Sequence, residues 1–381
     1  MSRIDDLIAE LCPDGVQFAA LGDLVRIRNG RDYKALGEGT VPVYGTGGVM
    51  RHVDTAAHLG PSVLIPRKGS LEKLYYVDVP FWTVDTIFYT EIGERIVPKF
   101  LYYHLSTQHL EELNQAGGIP SLTQSVLNQL RVPVPPLEIQ QEIVRILDQF
   151  TQLESELEAE LEARRRQYEH YRDSLIAGHG KDFQWLPMGE VGEFIRGRRF
   201  IKNDFTESGI PCIHYGEIYT SYGTSTTSTI THLPENMVSQ LRLAKPKDVI
   251  LAAVGETVED VGKAVAWLGD TDVAIHDDCF LYRHPLNPKF VSYYLQTQAF
   301  HSQKGKFVSR AKVKRLSREG LSQITLAVPP KKEQERIVEI LDVFGILLND
   351  LSIGLPAELA ARRKQYEYYR DQLLTFKERA V

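Results

Sequence analysis

The stretch VPPLEIQQEIVRILDQF, Val134–Phe150, returns later in the chain as VPPKKEQERIVEILDVF, Val328–Phe344, at an offset of 194. Further on, ARRRQYEHYRDSLI, Ala163–Ile176, returns as ARRKQYEYYRDQLL, Ala361–Leu374, at an offset of 198. The difference between the offsets falls between Phe344 and Ala361. It amounts to about one helical turn of 3.6 residues, so an apolar face stays roughly in phase across it. Val-Pro-Pro rejects helix at its own position and marks a start just beyond. From Ile143 a ladder of alternating four and three steps runs through Leu147, Phe150, Glu154, Leu157, Leu161, Arg164, Tyr168, Tyr171 and Leu175. That is the seam of a coiled coil. The second copy repeats it with Ile337, Leu341, Phe344, Leu348, Leu351 and Leu355, then Arg362, Tyr366, Tyr369 and Leu373. Gly354 and Pro356 are expected to break this second helix, with Pro356 accepted in the first turn of its continuation.

Outward from the helices, the likeness fades but persists. LGDLVRIRNGR (Leu21–Arg31) resembles MGEVGEFIRGR (Met188–Arg198), and KFLYYHLSTQ (Lys99–Gln108) resembles KFVSYYLQTQ (Lys289–Gln298). The chain therefore reads as domain, helix, domain, helix, over residues 1–136, 137–180, 181–330 and 331–381. A period near 195 residues excludes a solenoid of short repeats. Short β-rich runs (Ser62–Pro66, Val249–Val254, Ala274–Tyr282) alternate with helical ones (Pro98–Glu112, Pro288–Gln303), so each domain is α+β. The expected fold is two pseudo-repeated domains joined by two long helices that form an antiparallel coiled coil. Ala177–Asp182, with Gly178 and Gly180, reads as a linker. Well-matched helices beside diverged domains suggest a fixed frame carrying two different readers.

Composition sets the class. At 381 residues, 43% hydrophobic and 25% charged, the chain suits two ordinary globular domains. No apolar run approaches the roughly 18 residues needed to span a bilayer, and the opening Met1–Asp6 is acidic where a signal peptide would be basic. Cys12, Cys212 and Cys279 are scattered and form no CxxC pair, so no disulfide framework or zinc site is expected and a cytoplasmic location is.

A net charge of −6 argues at first against a nucleic-acid partner. The local balance differs: −3 over 1–136, −5 over 137–180, +2 over 181–330 and 0 over 331–381. Lys304, Lys306, Arg310, Lys312, Lys314, Arg315 and Arg318 fall in fifteen residues that hold no acid. A second cluster, Arg196, Arg198, Arg199 and Lys202, surrounds Gly197. Guanidinium forks grip phosphates and guanine edges bidentately, so these clusters suit DNA, with Tyr215, Tyr219 and Tyr222 as hydroxyl donors nearby. The first domain offers a thinner set: Arg28, Arg31, Lys34, Tyr44, Arg67 and Lys68.

No motif supplies chemistry. Ala253–Ala264 imitates a phosphate loop, but Gly255 and Gly262 are wrongly spaced and Lys263 is followed by Ala264. Tyr44–Gly48 reads as a tight turn. His276-Asp277-Asp278 lacks a second histidine at helical spacing and reads as a polar strand end. Asp32-Tyr33-Lys34 has a nuclease-like ending without the upstream acid that such a site needs, and no Asn/Asp-Pro-Pro-Tyr/Phe motif occurs. No catalytic residue and no metal site are expected.

The paired helical motifs, with the opening DGVQFAALGDL (Asp14–Leu24), resemble the two conserved helical regions of type I restriction–modification specificity subunits, their IC branch in particular. The resemblance runs in order over the whole chain: target-recognition domain, helix, target-recognition domain, helix. It implies a non-catalytic subunit that binds double-stranded DNA, each domain reading one half of a split target. It also implies two modification subunits and added restriction subunits, which would carry S-adenosylmethionine, ATP and magnesium. A helix of about 35–40 residues spans roughly 55 Å, enough to hold two readers a DNA turn of about 34 Å apart. A specificity subunit of a methylation-based defence system without a type I nuclease is the open alternative.

Overall fold

The computed structural model describes residues 3–114, 118–178, 183–349 and 354–380. The chain forms two compact units, Met1–Glu158 with Glu358–Val381, and Ala159–Ala357. Each unit thus holds one domain, the start of the helix that follows it, and the end of the other helix.

The first unit is built on a four-stranded antiparallel sheet ordered Val25–Asn29, Ile87–Ile92, Ser62–Pro66, Tyr75–Val77. Ser62–Pro66 is buried along its whole length, so it reads as a continuous apolar run without alternation. Beside it lie a three-stranded sheet, Gly48–Val53, Val41–Gly45 and Trp82–Thr83, and a ribbon pairing Gln17–Ala20 with Arg131–Val134. The helical expectation at Pro98–Glu112 resolves into an α-helix, Pro98–Leu105, and a 3₁₀ turn, Leu110–Leu113.

The second unit repeats this plan with larger sheets. Glu193–Arg196, Cys279–Arg283, Val249–Ala252, Ala264–Trp267 and Ser225–Thr226 form five strands. Thr231–Leu233, Ile210–Ile213, Val273–Ile275 and Leu243–Ala244 form four. The run expected at Ala274–Tyr282 is two strands in different sheets, divided by the turn His276-Asp277-Asp278. Asn287 caps Pro288–Tyr294 by accepting from the backbone N–H groups of Lys289 and Phe290.

The connector helices start alike. Pro136 and Pro330 end the preceding strand, and their carbonyls accept the first helical bonds, from Ile139 and Gln140 and from Glu333 and Gln334. Helix Leu137–Ala177 is unbroken. The second copy is two helices, Lys331–Asn349 and Gly354–Leu374, with Gly354 at φ +66° and Pro356 in the first turn of the latter. Leu351 and residues 179–182 of the expected linker lie outside the described residues.

The seam ladder does two jobs. Its lower rungs bury into the preceding domain: Ile143 and Leu147 join the first unit's core, Ile337 and Leu341 the second's. Higher rungs meet the other helix. In the first unit Phe150 stacks on Tyr369 at 5.5 Å and lies 6.4 Å from Tyr366. One turn on, Glu154 accepts from Arg363 at 2.6 Å and Glu158 pairs with the same guanidinium, so the two segments run antiparallel. Leu157 is half-buried and Leu161 buried. In the second unit Tyr168 and Leu175 pack on the core that holds Ile337 and Leu341. There the expected seam opens: Tyr171 is 47% and Phe344 41% exposed. Phe150, by contrast, is half-buried beneath Tyr366 and Tyr369.

Candidate nucleic-acid interface

Corresponding corners of the two domains are built by the same backbone contacts. A strand ends in Asn29-Gly30-Arg31 in the first and Arg196-Gly197-Arg198 in the second. A Cβ on Gly30 would lie 2.0 Å from the Val84 carbonyl oxygen, and one on Gly197 2.0 Å from that of His276. Only glycine lets the backbones approach so closely. The next residue is then held by its own N–H, Arg31 donating to the Thr83 carbonyl at 2.8 Å and Arg198 to that of Ile275 at 3.1 Å. Both arginine side chains are left exposed.

Beside each corner runs a ledge. In the first unit Lys68 bridges to Ser121, Leu122 N–H donates to the Arg67 carbonyl at 2.9 Å, and Thr123 caps Gln124–Asn128. In the second, Val254–Gly255 pairs with Lys314–Arg315, Leu316 N–H donates to the Ala253 carbonyl at 3.0 Å, and Ser317 caps Arg318–Gln323. The two ledges match residue for residue. Their cations come from opposite sides of the pairing, from Arg67 and Lys68 in one unit and from Lys314 and Arg315 in the other.

In the second unit the turn Asp277–Asp278 ties the two basic clusters together. Arg196 Nε donates to the Asp277 carbonyl at 2.7 Å, and Arg315 Nη1 lies 3.7 Å from Asp278. A cavity of about 490 Å³ opens between them, with Arg196, Arg315 and Arg318 on its walls and Phe280, Phe307 and Leu316 in its floor. Arg199, Lys202, Lys306, Arg310 and Lys312 are exposed around it or nearby in sequence. Lys314 is half-buried and donates to the Ala311 carbonyl at 3.1 Å.

Other expected contacts prove to be occupied. Lys304 is fully buried, and its ammonium donates to the carbonyls of Glu259 at 3.0 Å and Val261 at 2.5 Å. It is therefore an interior lysine and not a DNA contact. Burial lowers its pKa to about 8. Arg28 is paired with Glu91 at 3.0 Å on an outward strand face. Arg67 donates to the Asp85 carbonyl at 3.2 Å and lies over the Phe88 ring. Tyr44 packs against Tyr75 and Phe81. Lys34 remains exposed, its N–H taken by Asp32 in a local turn, which uses the acid of the nuclease-like triplet structurally.

Tyr215 belongs to a ring cluster, 4.4 Å from His214 and 5.8 Å from His276. Burial first, then His276 and Lys202, lowers His214 to about 4, so it is neutral near pH 7. His276, Asp277 and Asp278 bring their ligand atoms within 4.8 Å of one another. Yet His276 Nδ1 accepts from the Asp278 N–H at 3.1 Å, and its Nε2 is 3.3 Å from Asp277. Both imidazole nitrogens are thus engaged within the turn.

The family model for the type I restriction modification DNA specificity domain matches twice, at residues 13–163 and 180–361. The chain belongs to this family. A Haemophilus influenzae protein named as a putative type I restriction enzyme specificity subunit is 29% identical over 355 residues, covering 89% of each chain. The specificity subunit of an Escherichia coli type I restriction enzyme is 32% identical over 296 residues, covering 73% of this chain and 70% of that one. Among solved structures, a chain from work on complex assembly and conformational transition of the type I restriction–modification system aligns at a TM-score of 0.64. It is 16% identical and covers 95% of this chain and 98% of its own length. The specificity subunit of Mycoplasma genitalium aligns at 0.51 and 14% identity, with 94% and 96% covered. These structures share the fold: two specificity domains and the helices that connect them. No helix among the described residues is long and apolar enough to cross a membrane.

Proposed function

We propose that this protein is the DNA-reading subunit of a type I restriction–modification complex, each of its two domains binding one half of a split target. The observation that carries this is the doubled specificity-domain match, each copy presenting the same Gly-Arg corner and cation-bearing ledge. Exposed Arg31, Lys34 and Lys68 in the first unit, and Arg198, Arg199, Lys202, Lys306, Arg310 and Lys312 in the second, would contact phosphates or guanine edges.

In this reading the chain is not itself an enzyme. Adenine methylation using S-adenosylmethionine would belong to two modification subunits, and ATP- and magnesium-dependent cleavage to restriction subunits, all in the cytoplasm. The connector helices would dock the modification subunits and set the gap between half-sites. Turnover assays on the purified chain test the non-catalytic assignment. The expected result is no methyl transfer, DNA cleavage or ATP hydrolysis until partners are added; robust turnover by the chain alone would overturn it.

A further inference from the structure

Each ledge ends in an exposed apolar side chain at the same place in the repeat. Ile119, 74% exposed, precedes Pro120, whose carbonyl accepts from Gly69 N–H at 3.0 Å. Val313, 49% exposed, precedes Lys314, which pairs with Gly255. The separation of 194 is that of the helical motif, and the flanking pairs Leu122 and Leu316, Thr123 and Ser317 keep it. In the second unit the segment is a closed finger. Ser309 N–H donates to the Arg315 carbonyl at 2.9 Å, and Arg315 N–H to Ser309 Oγ at 3.0 Å. Arg310 and Lys312 are exposed on the finger, and Val313 sits among them.

A lone exposed aliphatic residue is ordinary on a protein surface. Two at matched positions of two diverged domains, each beside a ledge whose cations differ in origin, call for a shared role. The cations identify the partner as a polyanion. On duplex DNA, the apolar group that a side chain can meet at a base edge is the 5-methyl of thymine in the major groove.

We propose that Ile119 and Val313 are base-reading residues, each packing against a thymine 5-methyl in the half-site bound by its own domain. The inference rests on the DNA-reading function proposed above. Lys68 in the first unit, and Arg310, Lys312 and Arg315 in the second, hold the backbone while the aliphatic tip checks for the methyl. A glycine-proline frame around Ile119 and a basic frame around Val313 present the same group with different surroundings, as two readers of different sequences require.

The test replaces thymines of the target, one at a time, by deoxyuridine, which removes the methyl and nothing else. Binding is measured for the chain assembled with its modification partner. With the wild-type complex, one replacement in each half should weaken binding about fourfold, the equivalent of one buried carbon at about 0.8 kcal/mol. Val313→Ser should abolish that sensitivity in one half only, and Ile119→Ser in the other. Both variants should bind non-specific DNA as the wild type does. Sequence-specific binding with a flat deoxyuridine scan, or a sensitivity that survives both substitutions, would overturn this inference alone. So would equal loss of affinity on thymine and deoxyuridine targets, the behaviour of a wedge inserted between base pairs. Absence of any sequence-specific binding would instead overturn the DNA-reading function.

Discussion

The phenol of Tyr103 donates a 2.6 Å hydrogen bond to Asp148, which also accepts from Lys99 Nζ at 2.7 Å. The second unit rebuilds this arrangement. Tyr293 donates to Asp342 at 2.7 Å, and Lys289 pairs with the same carboxylate. A turn or two earlier, buried Gln140 accepts from Val97 N–H at 2.7 Å and donates to the Pro135 carbonyl at 2.8 Å. Gln334 accepts from Asn287 N–H and donates to the Pro329 carbonyl, each at 2.8 Å. The connector helix is thus fastened to its domain by one repeated set of polar bolts.

Replacing Tyr103 by Phe should therefore loosen the first domain from its helix. Removing a hydrogen bond to a charged acceptor costs about 1.5–3 kcal/mol. A denaturant titration of the chain should show that loss, and Tyr293→Phe should show one of similar size. An unchanged midpoint in both would mean that the bolts contribute nothing.

Lys304 should behave as a structural residue. Lys304→Ala would leave two buried carbonyls without a donor, at a cost of about 1–3 kcal/mol each, and should lower stability with no change in the salt dependence of DNA binding. Its pH dependence has a definite sign. Burial lowers the folded pKa from the ordinary 10.5 to about 8, so the unfolded chain holds the proton more tightly. The lysine's contribution to stability should rise between pH 8 and 10.5. Comparing wild type with Lys304→Met across that range measures it; a fall with rising pH would contradict the assignment.

Arg198, Arg199, Lys312 and Lys314 are expected to act through phosphates. Changing all four to Ala should weaken the assembled complex on every sequence. The slope of log affinity against log salt should flatten by about 0.9 for each phosphate that is no longer neutralised. Unaltered affinity and slope would make the clusters ordinary surface charge.

Much of this architecture was legible because helices announce themselves by period and proline. The repeats at Val134 and Val328 located both helix starts, and Gly354 with Pro356 marked the break. The seam was only half legible. The ladder does not say that Ile143 and Leu147 face the domain while Phe150 faces the other helix, since both are the same apolar stripe. The site was less legible still. Charge in a linear run cannot distinguish Lys304, turned inward onto the carbonyls of Glu259 and Val261, from Lys306, turned outward. The ledges were missed because their cations come from non-equivalent strands. The signal that could have revealed them was weak: Leu122-Thr123 against Leu316-Ser317 at the offset of 194.

The first connector helix should act as a ruler. Within it, Ser155-Glu156-Leu157-Glu158 is followed by Ala159-Glu160-Leu161-Glu162. Inserting one more such unit adds about 6 Å and turns the seam by only about 40°. The target's halves should then lie one or two base pairs further apart, at about 3.4 Å per pair. A two-residue insertion, which turns the seam by roughly half a turn, should abolish assembly. An active four-residue insertion with an unaltered gap would mean that another element sets the spacing.

The most direct test of the DNA-reading function is single-molecule sequencing of methylated adenine in cells that express this chain with its modification partner. The account predicts one new methylated motif made of two short blocks separated by unread positions. Changes confined to the base-contacting surface of the second unit should alter one block and leave the other intact. A contiguous motif, or no new methylation in cells where the complex assembles, would contradict it.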